Sequence, residues 1–306
     1  MRSRKTFAAL LILLPATLLR AQGSLTVPKT QAWRLHESVR HEVEAAIYRG
    51  QQFLAVRQTE DGRWQLAPDH LSVAPALAFC DGTAAWRQHP VLQKAAAGAV
   101  TRLERDLQLV LADLEVAELA YAGLLLRLLD QRPDLVARVA RRLALTDPRR
   151  LAACDLIVAL ILRGGGDNPA QDFEWSGVVA HAAKLDNPAA GKVAQAGLAR
   201  ILRGAEADGR AARAYLKWLA HKPPVSAEDA WWIARFVALL PPAVLFEEEY
   251  PLDWRQRLAS DLIARQRRDG ATGHGFWGSD PASDASDGDV LRETTFAILT
   301  FIFVAE

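Results

Sequence analysis

The sequence predicts an all-α protein, with about twelve helices in six pairs wound as a double ring. Three observations lead there. No segment shows the strict apolar/polar alternation of a half-buried strand, whereas helical spacing recurs along the chain. The helical segments are of two kinds, one with a single apolar stripe and one apolar all round. Proline and glycine breaks separate the two kinds in alternation, so that pairs start near 33, 90, 133, 171, 207 and 252. These starts lie roughly 36 to 57 residues apart, in the range of helical-repeat proteins.

Taken in order, the striped helices begin with Leu35, Val39, Val43, Ile47 and Leu54, spaced on one face of a polar helix. The segments 134–145, 209–222 and 252–268 repeat the pattern with a basic solvent face. The other kind comprises 71–80 and 294–305 without a charge, 151–162 with only Asp155, and 230–240 with only Arg235. A helix apolar on every side must be covered on every side. The striped helices therefore form an outer layer and the apolar ones an inner layer. Segment 187–204 falls in an inner position but carries Lys192, Arg200 and Arg203. An open solenoid is the alternative arrangement, and the uncharged 294–305 favours closure.

Ahead of this domain, Arg2, Arg4 and Lys5 precede the apolar run Phe7–Leu19, with Ala21 at a plausible cleavage point. The run is shorter than the roughly 20 residues that span a bilayer. Residues 1–23 are expected to be an export signal, with a retained anchor as the alternative, and 24–306 a single domain in the periplasm or outside the cell. With 37 Lys and Arg against 36 Asp and Glu, net charge +1 gives no reason to expect a nucleic-acid partner. Cys80 and Cys154 both sit in apolar segments, where a buried thiol and a disulfide formed after export are equally compatible with the spacing.

The joint after the first striped helix reads RGQQFLAVRQTEDGRW, residues 49–64. Helix ends leave carbonyls and N–H groups without intrahelical partners. Gln58 carries an amide that donates and accepts, Gly62 permits a tight reversal, and Trp64 offers a large flat surface to seal the turn. The pattern Arg49-Gly50-x-x-Phe53-Leu54-x-x-x-Gln58-x-x-x-Gly62-x-Trp64 resembles the QW repeat of the squalene/hopene cyclase and prenyltransferase family. Residues 262–278 read as a second copy, with Gln266, Gly270 and Trp277, an insertion before Gly275-x-Trp277, and Arg257 as far before Gln266 as Arg49 is before Gln58. The resemblance implies an α/α toroid of six inner and six outer helices, terpenoid cyclase-like, around a central cavity.

The family's chemistry-bearing motifs do not accompany the scaffold. There is no Asp-x-Asp-Asp acid cluster, no Asp-x-Cys zinc pair and no Asp-Asp-x-x-Asp diphosphate site. Asp287-Gly288-Asp289 reads as a cap of the last helix. No two histidines stand in a metal-ligand spacing such as H-E-x-x-H, so neither metal nor cofactor is expected. Acids do cluster where inner helices begin: Asp113, Glu115 and Glu118 before Tyr121, Asp155, Glu228 and Asp229 before Trp231-Trp232, and Glu293. Parallel inner helices would bring these carboxylates to one rim. They serve there either as helix caps or, for Asp155, Glu118, Asp229 and Glu293, as catalytic acids in partly desolvated sites. Tyr121, Trp231 and Trp232 are cavity-lining candidates, or core. Three functions follow. The first is a non-catalytic or strongly diverged toroid that binds a hydrophobic or aromatic-stacking small molecule or a protein partner. The others are a terpenoid-type cyclase or transferase with non-standard acids, and, by fold analogy, a carbohydrate-active α/α-barrel hydrolase or lyase.

If the joint is a structural staple, Gln58→Ala and Trp64→Ala each lower the unfolding free energy by about 1–4 kcal/mol. Thermal or denaturant unfolding of the two variants checks this.

Overall fold

The computed structural model describes residues 34–67, 70–72, 74–79, 89–109, 119–124, 133–145, 190–202, 210–221, 223–278 and 287–305. The N-terminal segment 1–23, both cysteines, Asp113, Glu115, Glu118 and the segment 151–162 with Asp155 lie outside the described residues. The described residues are mostly helical. The helices are α1 (Glu37–Ala55), α2 (Pro90–Leu109), α3 (Pro133–Leu145), α4 (Ala190–Leu202), α5 (Arg210–Ala220), α6 (Ala227–Val237), α7 (Pro242–Glu247), α8 (Trp254–Arg265) and α9 (Asp287–Ala305), and residues 119–124 are helical as well. Three of them open on a proline, whose missing N–H costs nothing in the first turn of a helix.

The two kinds of helix differ in burial as they differ in sequence. Between Asp134 and Leu143 of α3 only Leu135, Val139 and Leu143 are fully buried, while Arg138, Arg141 and Arg142 face solvent. In α9 every side chain from Thr294 to Phe301 is buried, and in α6 only Glu228 and Arg235 are not. Helix α4, whose sequence is the least pure of the inner candidates, is buried from Ala190 to Leu198 except at Lys192. Helix α6 packs between α4 and α9, and α9 also packs on α1, α8 and the 74–79 turn.

Two short antiparallel ribbons were not visible in the sequence pattern. Strands β1 (Trp64–Ala67) and β2 (His70–Ser72) pair, as do β3 (Arg267–Arg268) and β4 (Gly275–Phe276). Strands of two to four residues are too short to show alternation. The expected inner α-helix over 71–80 is also different. Its first residues belong to β2, and Ala74–Phe79 is a 3-10 helix, buried from Pro75 to Phe79. Pro75 brings no N–H to a helical ladder, and the Ser72 hydroxyl accepts the Ala74 N–H at 2.9 Å at its start.

Gln58 and Gln266 make the same bond at two places in the fold. The Gln58 amide donates to the Ala95 carbonyl of α2 at 2.8 Å. The Gln266 amide donates to the Ala46 carbonyl of α1 at 3.0 Å. Each follows its own helix and reaches another one. Both accepting carbonyls lie inside their helices rather than at the helix ends where the sequence places them, because a carbonyl oxygen has a second lone pair to offer. The tryptophans take the helix ends instead. Trp64 Nε1 donates to Leu54 O and Trp277 Nε1 to Leu262 O, each at 2.7 Å, in the last turns of α1 and α8. Both leucines stand four residues before the motif glutamine.

Glycines make room for these contacts. At φ 87°, Gly62 lies where a Cβ would strike the Gly98 carbonyl of α2. A Cβ on Gly275 would strike the Gln266 amide and Arg49, whereas Gly270 has open space around it. Gly275, and not Gly270, therefore stands where Gly62 stands in the first motif.

A seam of contacts thus joins α1 to the β3–β4 hairpin, more than two hundred residues away. Arg49 donates twice to Gln266 Oε1, at 3.0 and 2.7 Å. Arg57 pairs with Asp269 at 3.2 Å and covers the Phe53 ring, which stacks on Phe276 at 5.1 Å. Gly50 lets Trp277 and Ile298 close on α1, where a Cβ would stand 3.0 and 2.8 Å from them. At its other end α1 is capped by Gln256 of α8, which accepts the His36 N–H at 3.0 Å.

Helix α7 ends in a Schellman turn. Tyr250 N–H returns to Leu245 O at 2.9 Å and Glu249 N–H to Phe246 O at 3.2 Å. The residue in the left-handed position, normally glycine, is Glu249 with φ 55°. Glu249→Gly is expected to raise the unfolding free energy by about 0.5–1 kcal/mol, read from denaturant unfolding.

Candidate functional site

Of the acids nominated by sequence, Glu228, Asp229 and Glu293 lie within the described residues, and they converge where α4, α6 and α9 begin. Ser226 is the N-cap of α6, extended at φ −122° and ψ 164°, and its hydroxyl accepts the Asp229 N–H at 3.0 Å. Asp229 returns the favour one residue upstream, accepting the Val225 N–H at 3.3 Å with Oδ2. Its Oδ1 accepts the Gly191 N–H of α4 at 2.8 Å. Gly191 is glycine because a Cβ there would collide with the Asp229 carboxylate. Glu293, in the second turn of α9, accepts the Ala227 N–H of α6 at 2.7 Å with Oε2.

The two carboxylates do the same thing one step apart. Asp229 of α6 closes the N-terminus of α4, and Glu293 of α9 closes the N-terminus of α6. The first N–H groups of a helix have no internal partner and carry its positive dipole end, so a buried carboxylate is well held there. Both oxygens of Asp229 are engaged by backbone amides.

Around Glu293 the charges are mixed. Glu228 takes the Arg292 guanidinium at 2.6 Å and, with its other oxygen, the Trp232 indole N–H at 3.5 Å. Arg265 donates to the Val225 carbonyl at 3.1 Å and lies 3.1 Å from Asp261. Burial pushes the Glu293 carboxyl above its ordinary value, and the negative charges of Glu228 and Asp229 push the same way, against the Ala227 N–H and Arg265.

Behind the rim the aromatic candidates meet. Phe296 of α9 lies 5.4 Å from Trp231 and 6.3 Å, edge-on, from Tyr121. Trp231 and Trp232 contact each other edge-on at 4.5 Å, and both are buried. Both rings are buried in α6, which packs between α4 and α9. Tyr121 is half-buried. Arg235 sits over Trp231 and Phe303 at 5.7 and 5.1 Å, which keeps the cation of an otherwise apolar helix against aromatic faces.

Among the described residues no group of three or more His, Cys, Asp or Glu is placed to hold a metal ion, and no helix is long and apolar enough to cross a membrane. The residues missed by sequence are Ser226, Gly191, Arg265 and Arg292. Ser226-x-x-Asp229 fits a capping-box pattern and was readable. The contacts Gly191–Asp229, Arg265–Val225 and Arg292–Glu228 join distant segments and were not. Compared with known proteins, the chain matches no family model and no curated protein.

A raised carboxyl pKa has a signed consequence. Glu293 binds its proton more tightly folded than unfolded, so its contribution to stability is complete below about 4.5, its ordinary value, and is lost as pH rises through the folded value. Glu293→Gln keeps an oxygen for the Ala227 N–H and removes the titration. The variant is expected to gain on the wild type as pH rises from acid to neutral, measured as the difference in Tm across that range.

Proposed function

We propose that the chain is an exported double ring of the squalene cyclase and prenyltransferase type, and that it binds a hydrophobic or aromatic-stacking small molecule, or a protein partner, without catalysing the family's reactions. Support for the ring comes from the direction of the glutamine bonds. Gln58 leads from the first outer helix to the second, and Gln266 leads from the last outer helix back to the first. The rim carboxylates run the opposite way, from a later inner helix to an earlier one. Support for export is the basic start and short apolar run of the N-terminus.

One observation carries the non-catalytic reading. Asp229 has both carboxylate oxygens on backbone amides, and Glu293 holds the Ala227 N–H. A general acid must present its proton to a substrate, and these groups present oxygens to helix ends. A second reading, a cyclase or transferase with a non-standard acid, is favoured by one fact, the raised proton affinity of Glu293.

Purified protein incubated with squalene, a polyprenyl diphosphate and an oligosaccharide separates these. No turnover by mass spectrometry, together with a rise in Tm in the presence of an apolar or aromatic ligand or a captured protein, is the expected result. Turnover that Glu293→Gln abolishes while the fold stays intact would establish the second reading instead.

A further inference from the structure

We propose that the seam between α1 and the C-terminal elements α8, β3, β4 and α9 is a head-to-tail interface that a second copy of this chain completes by exchanging those elements. The inference needs only the seam, not the closed double ring.

The seam is heterologous. On its C-terminal side stand Gln266, Asp269, Phe276 and Trp277, and on the α1 side the Ala46 carbonyl, Arg49, Arg57, Phe53 and Gly50. Nothing in these contacts distinguishes an α1 of the same copy from an α1 of another. The joint between Gln58 and Ala95 is made alike, but its two sides are only 37 residues apart in sequence. Across the seam the two sides are about two hundred residues apart in sequence, and no short link enforces closure within one copy.

The chain enters the exchangeable unit through Glu249–Asp253, and Glu249 holds a left-handed conformation that an L side chain adopts at a cost. Short strained connections favour exchange, since opening the hinge releases the strain while every contact of the exchanged unit is remade in the partner copy. The packing of α9 on α6, on β1 and on the 74–79 turn is kept in an exchanged dimer along with the seam.

The hinge gives two variants with opposite expectations. Glu249→Gly accepts the left-handed turn and is expected to lower the dimer fraction formed on refolding at high protein concentration. Glu249→Pro, fixed near φ −65°, cannot make the turn and is expected to raise it. Light scattering after size exclusion reads both, with the wild-type dimer fraction rising with concentration. Because the proline variant also tests folding, a second pair is decisive. Asp269→Arg and Arg57→Asp each put like charges across the seam within one copy. Refolded together, they restore opposite charges at one seam and leave the other native only in an exchanged heterodimer. Heterodimer enriched over either variant alone is the expected outcome. If the mixture stays as monomeric as each variant alone although both have lost thermal stability, the seam stands and exchange is overturned. If neither variant loses stability, the seam itself carries no weight and the proposal falls with it.

Discussion

The contact on which the described fold turns is one glutamine amide. Gln266 donates to the Ala46 carbonyl while its own oxygen takes two N–H groups of Arg49. A single hydrogen bond of this kind contributes about 0.5–1.5 kcal/mol net, but leaving a buried amide or carbonyl without a partner costs more than the bond gains. The amide therefore acts less as an adhesive than as a gauge. It sets how closely the hairpin approaches α1, and that distance is filled by side chains with no other way to fit. Gly275 is small because Gln266 and Arg49 are against it, and Gly50 is small because Trp277 and Ile298 are against it. Trp277 in turn closes the last turn of α8. Polar geometry fixes the register here and apolar burial supplies most of the energy.

A second set of bonds works where α4, α6 and α9 begin. Asp229 and Glu293 are placed at helix starts, where the sequence shows acids and where a catalytic role is one reading, but each reaches sideways to the start of a neighbouring helix. The arrangement makes the carboxylates shared fittings between helices rather than caps of their own. Glu293 is the less settled of the two chemically. It is half-buried near Glu228, Asp229 and Arg265, so the same position that ties α9 to α6 also carries a charge whose cost depends on pH.

Much of the fold was legible because its signals are local. The stripe of α3 and the uncharged run of α9 determine which helix is covered and which is half-covered, and burial follows them closely. Prolines at 90, 133 and 242 mark helix starts for a reason confined to one residue. The glutamine–glycine–tryptophan strings follow helices, and their glutamines reach Ala95 and Ala46 on other helices, but nothing near Gln58 names Ala95 and nothing near Gln266 names Ala46. The ribbons and the 3-10 turn of 74–79 escaped because they span too few residues for periodicity to register. The second motif offers two glycines, Gly270 at the right distance from Gln266 and Gly275 at the right distance from Trp277, and only packing distinguishes them: Gly275 lies against Gln266, and Gly270 has open space. The rim was half legible. The acids were found from their place before apolar runs, but which N–H each would hold depends on how α4, α6 and α9 converge, which no local pattern encodes.

The central claim is that α1 and the C-terminal hairpin with α9 form one cooperative unit through the Gln266 seam. Native-state hydrogen exchange tests it most directly. The account predicts that the most protected amides of α1 and of α9 open with the same free energy and lose protection together in Gln266→Ala, while those of α3 change less. Amides of α1 that exchange through a separate, much lower-energy opening, unaffected by Gln266→Ala, would contradict it.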